Sequence, residues 1–134
     1  MTLVAKGESL GPARAFVRTG AREANLPESR MLELDLLIEE ILVNISRYSY
    51  PECAAGPVTV TYSVPEPGQL TVEVSDQGIE FDPLEISPPD LTLDLARRPI
   101  GGLGILLLKS FARSLTYRRE RGCNRLTFGI SANP

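Results

Sequence analysis

Three short segments of this 134-residue chain carry residue types whose spacing would suit a chemical role. In the first segment, Glu40 and Asn44 stand four positions apart, so a helix would project both side chains from one face. There they could converge on one ligand or metal ion. A solvated glutamate beside an asparagine near a helix end is the structural alternative, and the spacing alone favours that alternative.

The second segment runs from Val74 to Gly78, where a predicted strand passes into a loop. The carboxylate of Asp76 could accept a hydrogen bond from a base or a hydroxyl group, and Gly78 would let a ligand approach the backbone closely. The same Asp-x-Gly pattern is common in ordinary turns. Taken alone, the pattern therefore favours a turn.

The third segment is rich in glycine and directly precedes an apolar helix; it comprises Gly101, Gly102, Leu103 and Gly104. Backbone N–H groups at a helix N-terminus, together with the positive end of the helix dipole, make a site for phosphate. The spacing matches neither the Walker loop nor the GxGxxG loop of Rossmann folds, and a glycine hinge is the alternative.

Taken together and in this order, the three segments favour a chemical role over the structural alternatives. A helix, a strand end and a glycine-rich helix start would supply contacts to a metal ion, a nucleobase and phosphates respectively. A nucleotide pocket needs all three kinds of contact, so the sequence predicts a nucleotide-binding site assembled from these segments.

Hydrophobic periodicity predicts the elements that must hold these residues. Apolar residues recur at three- and four-residue steps where helices are expected and at alternate positions where strands are expected. The stretch from Pro83 to Pro99 carries only a weak helical patch and is predicted to be a mobile connection. The expected elements are a short strand at Thr2–Ala5, helices over Ser9–Asn25 and Glu28–Tyr48, a hairpin over Val58–Val74 with a turn at Pro65–Gly68, a helix over Ile105–Ala112, and strands over Leu115–Glu120 and Arg125–Ile130 around a turn at Arg121–Asn124.

The strands come as hairpins, and this arrangement predicts the fold class. We expect an α+β fold: a two-layer α/β sandwich whose mixed, mainly antiparallel sheet is covered on one face by about three helices. A doubly wound parallel fold does not fit the pattern. Residues 1–134 have the length of one ordinary domain and are predicted to form a single domain.

Composition narrows the function classes. The chain has no histidine, which excludes Ser-His-Asp and Cys-His catalysis and a phosphohistidine relay on this chain. Its 14 Lys and Arg against 17 Asp and Glu give a formal net charge of -3, so direct binding of nucleic acid is not expected. Cys53 and Cys123 form no CxxC pattern, and we expect reduced thiols in a cytoplasmic protein. No apolar run is long enough to span a bilayer, so no membrane partner is expected.

The chain resembles the GHKL ATPase superfamily and, within it, the anti-sigma-factor serine/threonine-protein kinases. The resemblance covers about Ser9 to Ile130 and rests on four segments in a fixed order: EEILVNISRYSYP (39–51), DQGIEFDP (76–83), GGLGI (101–105) and GCNRLT (122–127). Family members often carry His-Ala-Tyr-Pro where this chain has Tyr48–Pro51, and the predicted lid is unusually rich in proline.

This resemblance implies a role for each predicted site residue. Asn44 would bind the nucleotide and ligate Mg²⁺, and Glu40 would be the catalytic general base. Asp76 would accept a hydrogen bond from the adenine amino group of ATP. Gly78 would let the ring lie close to the backbone, and Thr127 would support the adenine contact.

The resemblance also implies how the phosphates are held. The glycine-rich segment 101–104 would contact them beneath a lid formed by Pro83 to Ile100. Arg97 and Arg98 suit phosphate contacts by charge and place but match no family position. Arg47 lies one helical turn beyond Asn44, and its role is left unassigned.

The implied function is the transfer of the γ-phosphoryl group of ATP to a serine or threonine of a small anti-sigma-factor antagonist of the STAS type. The same protein would sequester a sigma factor by partner switching. The alternative is a nucleotide-dependent binding module without significant kinase activity, since partner switching needs only different affinities in two states. The apolar face of the first helix, around Phe16 and Val17, is compatible with a homodimer, and a monomer is the other arrangement.

Overall fold

The computed structural model of the protein describes residues 1–4, 9–50, 56–85 and 109–132. The glycine-rich segment 101–104, Arg97, Arg98, Cys53 and most of the predicted lid lie outside the described residues. At the two sides of that gap, Pro83–Glu85 form a 3₁₀ turn and residues 109–111 are helical. Across the described ranges, no helix is long and apolar enough to cross a membrane.

Apolar residues at helical spacing form two consecutive helices. Helix α1 spans Leu10–Glu23 and helix α2 spans Glu28–Asn44. The chain continues beyond α2 as one π-helical turn, Ile45–Ser49, in which the N–H of Tyr50 donates to the carbonyl of Ile45 (3.0 Å). The first two predicted helices are confirmed, but the last turn of the second is wider than an α-helical turn. The first half of the third predicted helix, Ile105–Ala112, lies outside the described residues.

Within the described ranges, alternating apolar residues form a five-stranded antiparallel sheet with the order β1-β2-β3-β5-β4. Its position beside the helices confirms the predicted α+β fold class. The first hairpin turn is shorter than predicted, because β2 continues through Pro65 and leaves Pro67 and Gly68 to reverse the chain. The strands are β1 (Thr2–Val4), β2 (Pro57–Glu66), β3 (Gln69–Asp76), β4 (Ser114–Glu120) and β5 (Cys123–Ser131).

The turn between β4 and β5 also differs from the prediction. The sequence suggested a four-residue turn at Arg121–Asn124, whereas the structure has a two-residue turn. Arg121 (φ 51°) and Gly122 (φ 77°) both adopt the left-handed conformation, as the tight hairpin turns that match strand twist require. Asn124 therefore belongs to β5, directly opposite Asp76 of β3.

The helices cover one face of the sheet, and the hydrophobic core fills the space between them. Val72 of β3 and Phe128 of β5 are register partners, and both are fully buried. Val17 of α1 and Leu34 of α2 belong to the same core. The intervening strand residues project to the other face, where Thr127 lies, so the alternation of each strand decides which side chains can reach the helices.

Replacing Phe128 with alanine should lower the free energy of unfolding by about 3–5 kcal/mol, because a fully buried aromatic side chain is lost and a cavity remains. Urea unfolding followed by circular dichroism measures this change. Thr127→Ala is the matched control, since the neighbouring side chain lies on the other face and makes a long hydrogen bond to Glu73 (3.4 Å). Its loss should stay below about 1 kcal/mol; equal losses would contradict the assigned faces.

Candidate functional site

The C-terminal end of α2 holds two polar side chains with buried atoms that make no hydrogen bond within the described residues. Asn44 is only 2% exposed, yet neither its amide oxygen nor its amide nitrogen has a hydrogen-bond partner among the described residues. Oε1 of Glu40, one helical turn earlier, is also buried and has no hydrogen-bond partner among the described residues. Buried polar groups normally have partners, so these atoms indicate a place that is completed by a ligand, an ion or water.

Asp76 ends β3 as a buried carboxylate that is 3% exposed. Its Oδ1 accepts two hydrogen bonds, from the N–H of Gly78 (2.9 Å) and from Nδ2 of Asn124 (2.9 Å). Its Oδ2 accepts a long one from the hydroxyl of Ser49 (3.4 Å). The carboxylate is thus fixed in orientation while Oδ2 keeps room for a further donor.

Asn124 is the residue of this site that sequence analysis missed. It is 4% exposed, and its Nδ2 donates to the carbonyl of Ile79 (2.7 Å) as well as to Asp76. Its Oδ1 accepts from the hydroxyl of Tyr117 (2.6 Å) and from the N–H of Phe81 (3.1 Å). Asn124 therefore joins β3, β4 and the loop after β3 at one point.

Gly78 lets the loop after β3 lie directly against the π-helical turn. A Cβ at this position would be 2.2 Å from the carbonyl oxygen of Ser49, so the backbone itself excludes a side chain. The neighbouring N–H of Ile79 donates to the same Ser49 carbonyl (3.0 Å), and Arg119 Nη1 donates to the carbonyl of Gly78 (2.8 Å). The requirement for glycine here comes from packing of the protein on itself.

Two tyrosine hydroxyls make hydrogen bonds at this site, one to Asn124 of β5 and one to the loop after β3. Burial raises the pKa of Tyr117 above its ordinary value, and the nearby Glu80 carboxylate raises it further. Its hydroxyl therefore stays protonated at neutral pH and keeps donating to Asn124. Burial also raises the pKa of Tyr50. Its hydroxyl accepts from the N–H of Gln77 (2.7 Å) and donates to the carbonyl of Pro57, the first residue of β2 (2.8 Å).

A pocket opens between the end of α2, the loop after β3 and the β4–β5 hairpin. Part of its lining is apolar and could pack against a planar ring, and the polar part includes the side chains of Asn44, Asp76 and Asn124. Tyr48 stacks on Phe81 in the pocket wall, with ring centroids 4.7 Å apart. The apolar lining residues are Ile41, Ile45, Val74, Phe81, Pro83 and Leu126.

The structure brings some of the predicted site residues together and separates another from them. Asn44 and Asp76 line the same pocket, and Gly78 bonds to Asp76. Thr127 lies on the other face of the sheet, where its hydroxyl donates to Glu73. Asn124 occupies the place beside Asp76 that the resemblance assigned to Thr127.

The unpartnered amide oxygen of Asn44 fits a hard cation, since Mg²⁺ prefers oxygen ligands of this kind. In the part of the chain that the structure describes, no group of three or more His, Cys, Asp or Glu side chains could hold a metal ion on its own. Asn44 could therefore supply one ligand of such an ion, with the remaining ligands coming from elsewhere.

Sequence comparison identifies a protein family and two related proteins. A profile of the histidine kinase-like ATPase domain matches residues 3–130. The serine/threonine-protein kinase BtrW of Bordetella bronchiseptica is 27% identical over 101 residues, which cover 75% of this chain and 70% of BtrW. The anti-sigma F factor of Clostridium acetobutylicum is 28% identical over 129 residues, which cover 91% of this chain and 84% of that protein.

Solved structures show the same fold. The blue-light activated histidine kinase EL346 of Erythrobacter litoralis matches with a TM-score of 0.56 and 19% identity, over 94% of this chain. The chain spans 41% of the length of that kinase. At this level of identity the likeness concerns the fold alone.

Replacing Gly78 with alanine should destabilise the protein and weaken ligand binding at the pocket, because the new Cβ meets the Ser49 carbonyl and pushes the loop away. We expect a loss of about 1–3 kcal/mol in the free energy of unfolding, the usual range for overpacking. Gly11→Ala in α1 is the control, since a Cβ there has nothing within 4 Å and the change should be neutral or slightly stabilising. Urea unfolding of both variants makes the comparison, and a Gly78→Ala protein as stable as wild type would contradict the packing described.

Proposed function

The chain belongs to the histidine kinase-like ATPase domain family, and from that premise we propose that it is an ATP-dependent serine/threonine-protein kinase of the anti-sigma-factor type. The family description implies ATP binding. The observation that carries the proposal is the pair Glu40 and Asn44, whose buried polar atoms lack partners among the described residues. Asn44 lines the same pocket as the Asp76 carboxylate, and Glu40 precedes Asn44 by one turn of α2, so catalytic and nucleotide contacts would be adjacent.

ATP would bind with its adenine ring between the apolar walls of the pocket. Oδ2 of Asp76 would accept a hydrogen bond from the 6-amino group, because an ionised carboxylate is an acceptor only. The phosphates would extend towards Asn44 and the glycine-rich segment 101–104. The contacts of that segment are proposed from its sequence, since it lies outside the described residues.

Asn44 would hold Mg²⁺ through its side-chain oxygen. When bound, the ion neutralises charge on the phosphates during phosphoryl transfer. Glu40 lies one helical turn away on α2, and an ionised carboxylate there can accept a proton. We assign Glu40 as the general base that takes the proton from the attacking hydroxyl group as that oxygen bonds to the γ-phosphorus and the γ-phosphorus–oxygen bond to ADP breaks.

The relatives suggest the protein partners. One is named as a serine/threonine-protein kinase and the other as an anti-sigma F factor. We propose that this chain binds a sigma factor and phosphorylates a serine or threonine of a small antagonist protein of the STAS type. Partner switching then requires only that the two partners bind the nucleotide-loaded states with different affinities.

Glu40→Gln should keep the affinity for ATP but slow turnover by about 10²–10⁴-fold, because the amide has the same shape and cannot accept the proton. Calorimetric titration measures the affinity. Release of phosphate from ATP, and transfer to candidate antagonists from the same genome, measure the turnover. Undiminished turnover by the variant would remove Glu40 from the mechanism.

Asn44→Ala should abolish the gain in ATP affinity that Mg²⁺ provides, since the variant loses its cation ligand but keeps the adenine pocket. Titration of ATP with and without Mg²⁺ measures that gain. Ser46→Ala is the control, because Ser46 is an exposed residue of the adjoining π-helical turn and should leave the gain intact. A magnesium effect that survives in Asn44→Ala would contradict the assignment.

A further inference from the structure

The side-chain amide of Asn124 can adopt only one orientation. Its Nδ2 donates to two close acceptors, the Asp76 carboxylate (2.9 Å) and the Ile79 carbonyl (2.7 Å), and makes a longer contact to Ser49 Oγ (3.5 Å). Its Oδ1 meets two donors, the hydroxyl of Tyr117 (2.6 Å) and the N–H of Phe81 (3.1 Å). A flipped amide would place oxygen against oxygen on one side and N–H against N–H on the other, so the network fixes the amide.

The fixed amide in turn determines which oxygen of Asp76 is left for a ligand. Oδ1 receives two well-placed hydrogen bonds, from Asn124 and from Gly78, which use both of its lone pairs. Oδ2 has only the long contact from Ser49 (3.4 Å). The carboxylate lines the pocket, so Oδ2 is the oxygen that can accept a hydrogen bond from a bound ring.

We propose that Asn124 is the positioning residue that sets the base specificity of this pocket, and that Tyr117 acts through Asn124. The inference rests on the proposed function, since it concerns the same ATP site. Asn124 holds Asp76 so that Oδ2 accepts from a 6-amino purine. The same arrangement opposes a 6-oxo purine, whose oxygen would face the carboxylate oxygen.

Asn124 also places one wall of the pocket. The bonds to Ile79 and Phe81 attach the loop after β3 to the start of β5, and Phe81 is part of the pocket lining. A base that hydrogen-bonds to Asp76 would therefore meet the Phe81 side of the pocket at a fixed distance. Loss of Asn124 would loosen the acceptor and this wall together.

The test compares ATP with inosine triphosphate, which differs at the base by a 6-oxo group in place of the 6-amino group. The affinities of the full chain for both nucleotides are measured by calorimetry. We expect wild type to bind ATP at least about tenfold more tightly, the effect of a single hydrogen bond to a charged group. Asn124→Ala should bring the ratio of the two affinities close to one.

Tyr117→Phe provides a milder second variant, because it removes one donor and leaves the Asn124 side chain in place. We expect it to lower the ratio by about threefold, less than Asn124→Ala does. Thr116→Ala is its control, since Thr116 is the exposed neighbour on β4 and should leave the ratio unchanged. Unfolding curves confirm that the proteins compared are folded.

The outcomes separate the inference from the proposed function. A variant that weakens both nucleotides equally, with an unchanged ratio, would show a structural role only and overturn the inference. Wild-type protein that binds both nucleotides equally would overturn it while leaving the ATP site in place. Wild-type protein that binds neither would overturn both the inference and the proposed function.

Discussion

The arrangement of the site depends on one buried charge, the carboxylate of Asp76. A buried carboxylate is unfavourable unless donors surround it, and here the donors come from three separate parts of the chain. They are the N–H of Gly78 in the next loop, the amide of Asn124 on β5 and the hydroxyl of Ser49 in the π-helical turn. Satisfying this carboxylate therefore brings the end of α2, the end of β3 and the start of β5 to one point.

The rest of the fold keeps those parts in register. The antiparallel pairing of β3 and β5 places Asp76 opposite Asn124, and the two-residue turn before β5 makes that register possible. The core between the sheet and α2 fixes the helix whose last turns carry Glu40 and Asn44. Among the described residues, buried side-chain atoms without a hydrogen-bond partner occur in Glu40, Asn44, Arg14 and Arg125. Of these four residues, Asn44 lines the pocket, and Glu40 lies one helical turn before it.

Much of this architecture follows from the sequence because periodicity reports burial directly. The steps of three and four predicted α1 and α2, and alternation predicted the strands. Asn124 could not be found this way, since Gly122–Asn124 has the composition of a turn and only the register across the sheet shows its partner. For Thr127 the signal was present: its neighbours Leu126 and Phe128 are the buried residues of the strand, so alternation points Thr127 to the other face.

The central claim is that the Asp76 carboxylate selects a 6-amino purine by accepting a hydrogen bond from its amino group. The variant Asp76→Asn tests this claim most directly. The variant's side-chain oxygen can still accept from Gly78 and Asn124, which leaves its NH₂ group as a donor where Oδ2 was an acceptor. Titration with ATP and with inosine triphosphate should therefore show the base preference reversed, with ATP weakened and the 6-oxo nucleotide gaining. An Asp76→Asn protein that binds ATP as tightly as wild type would contradict the account.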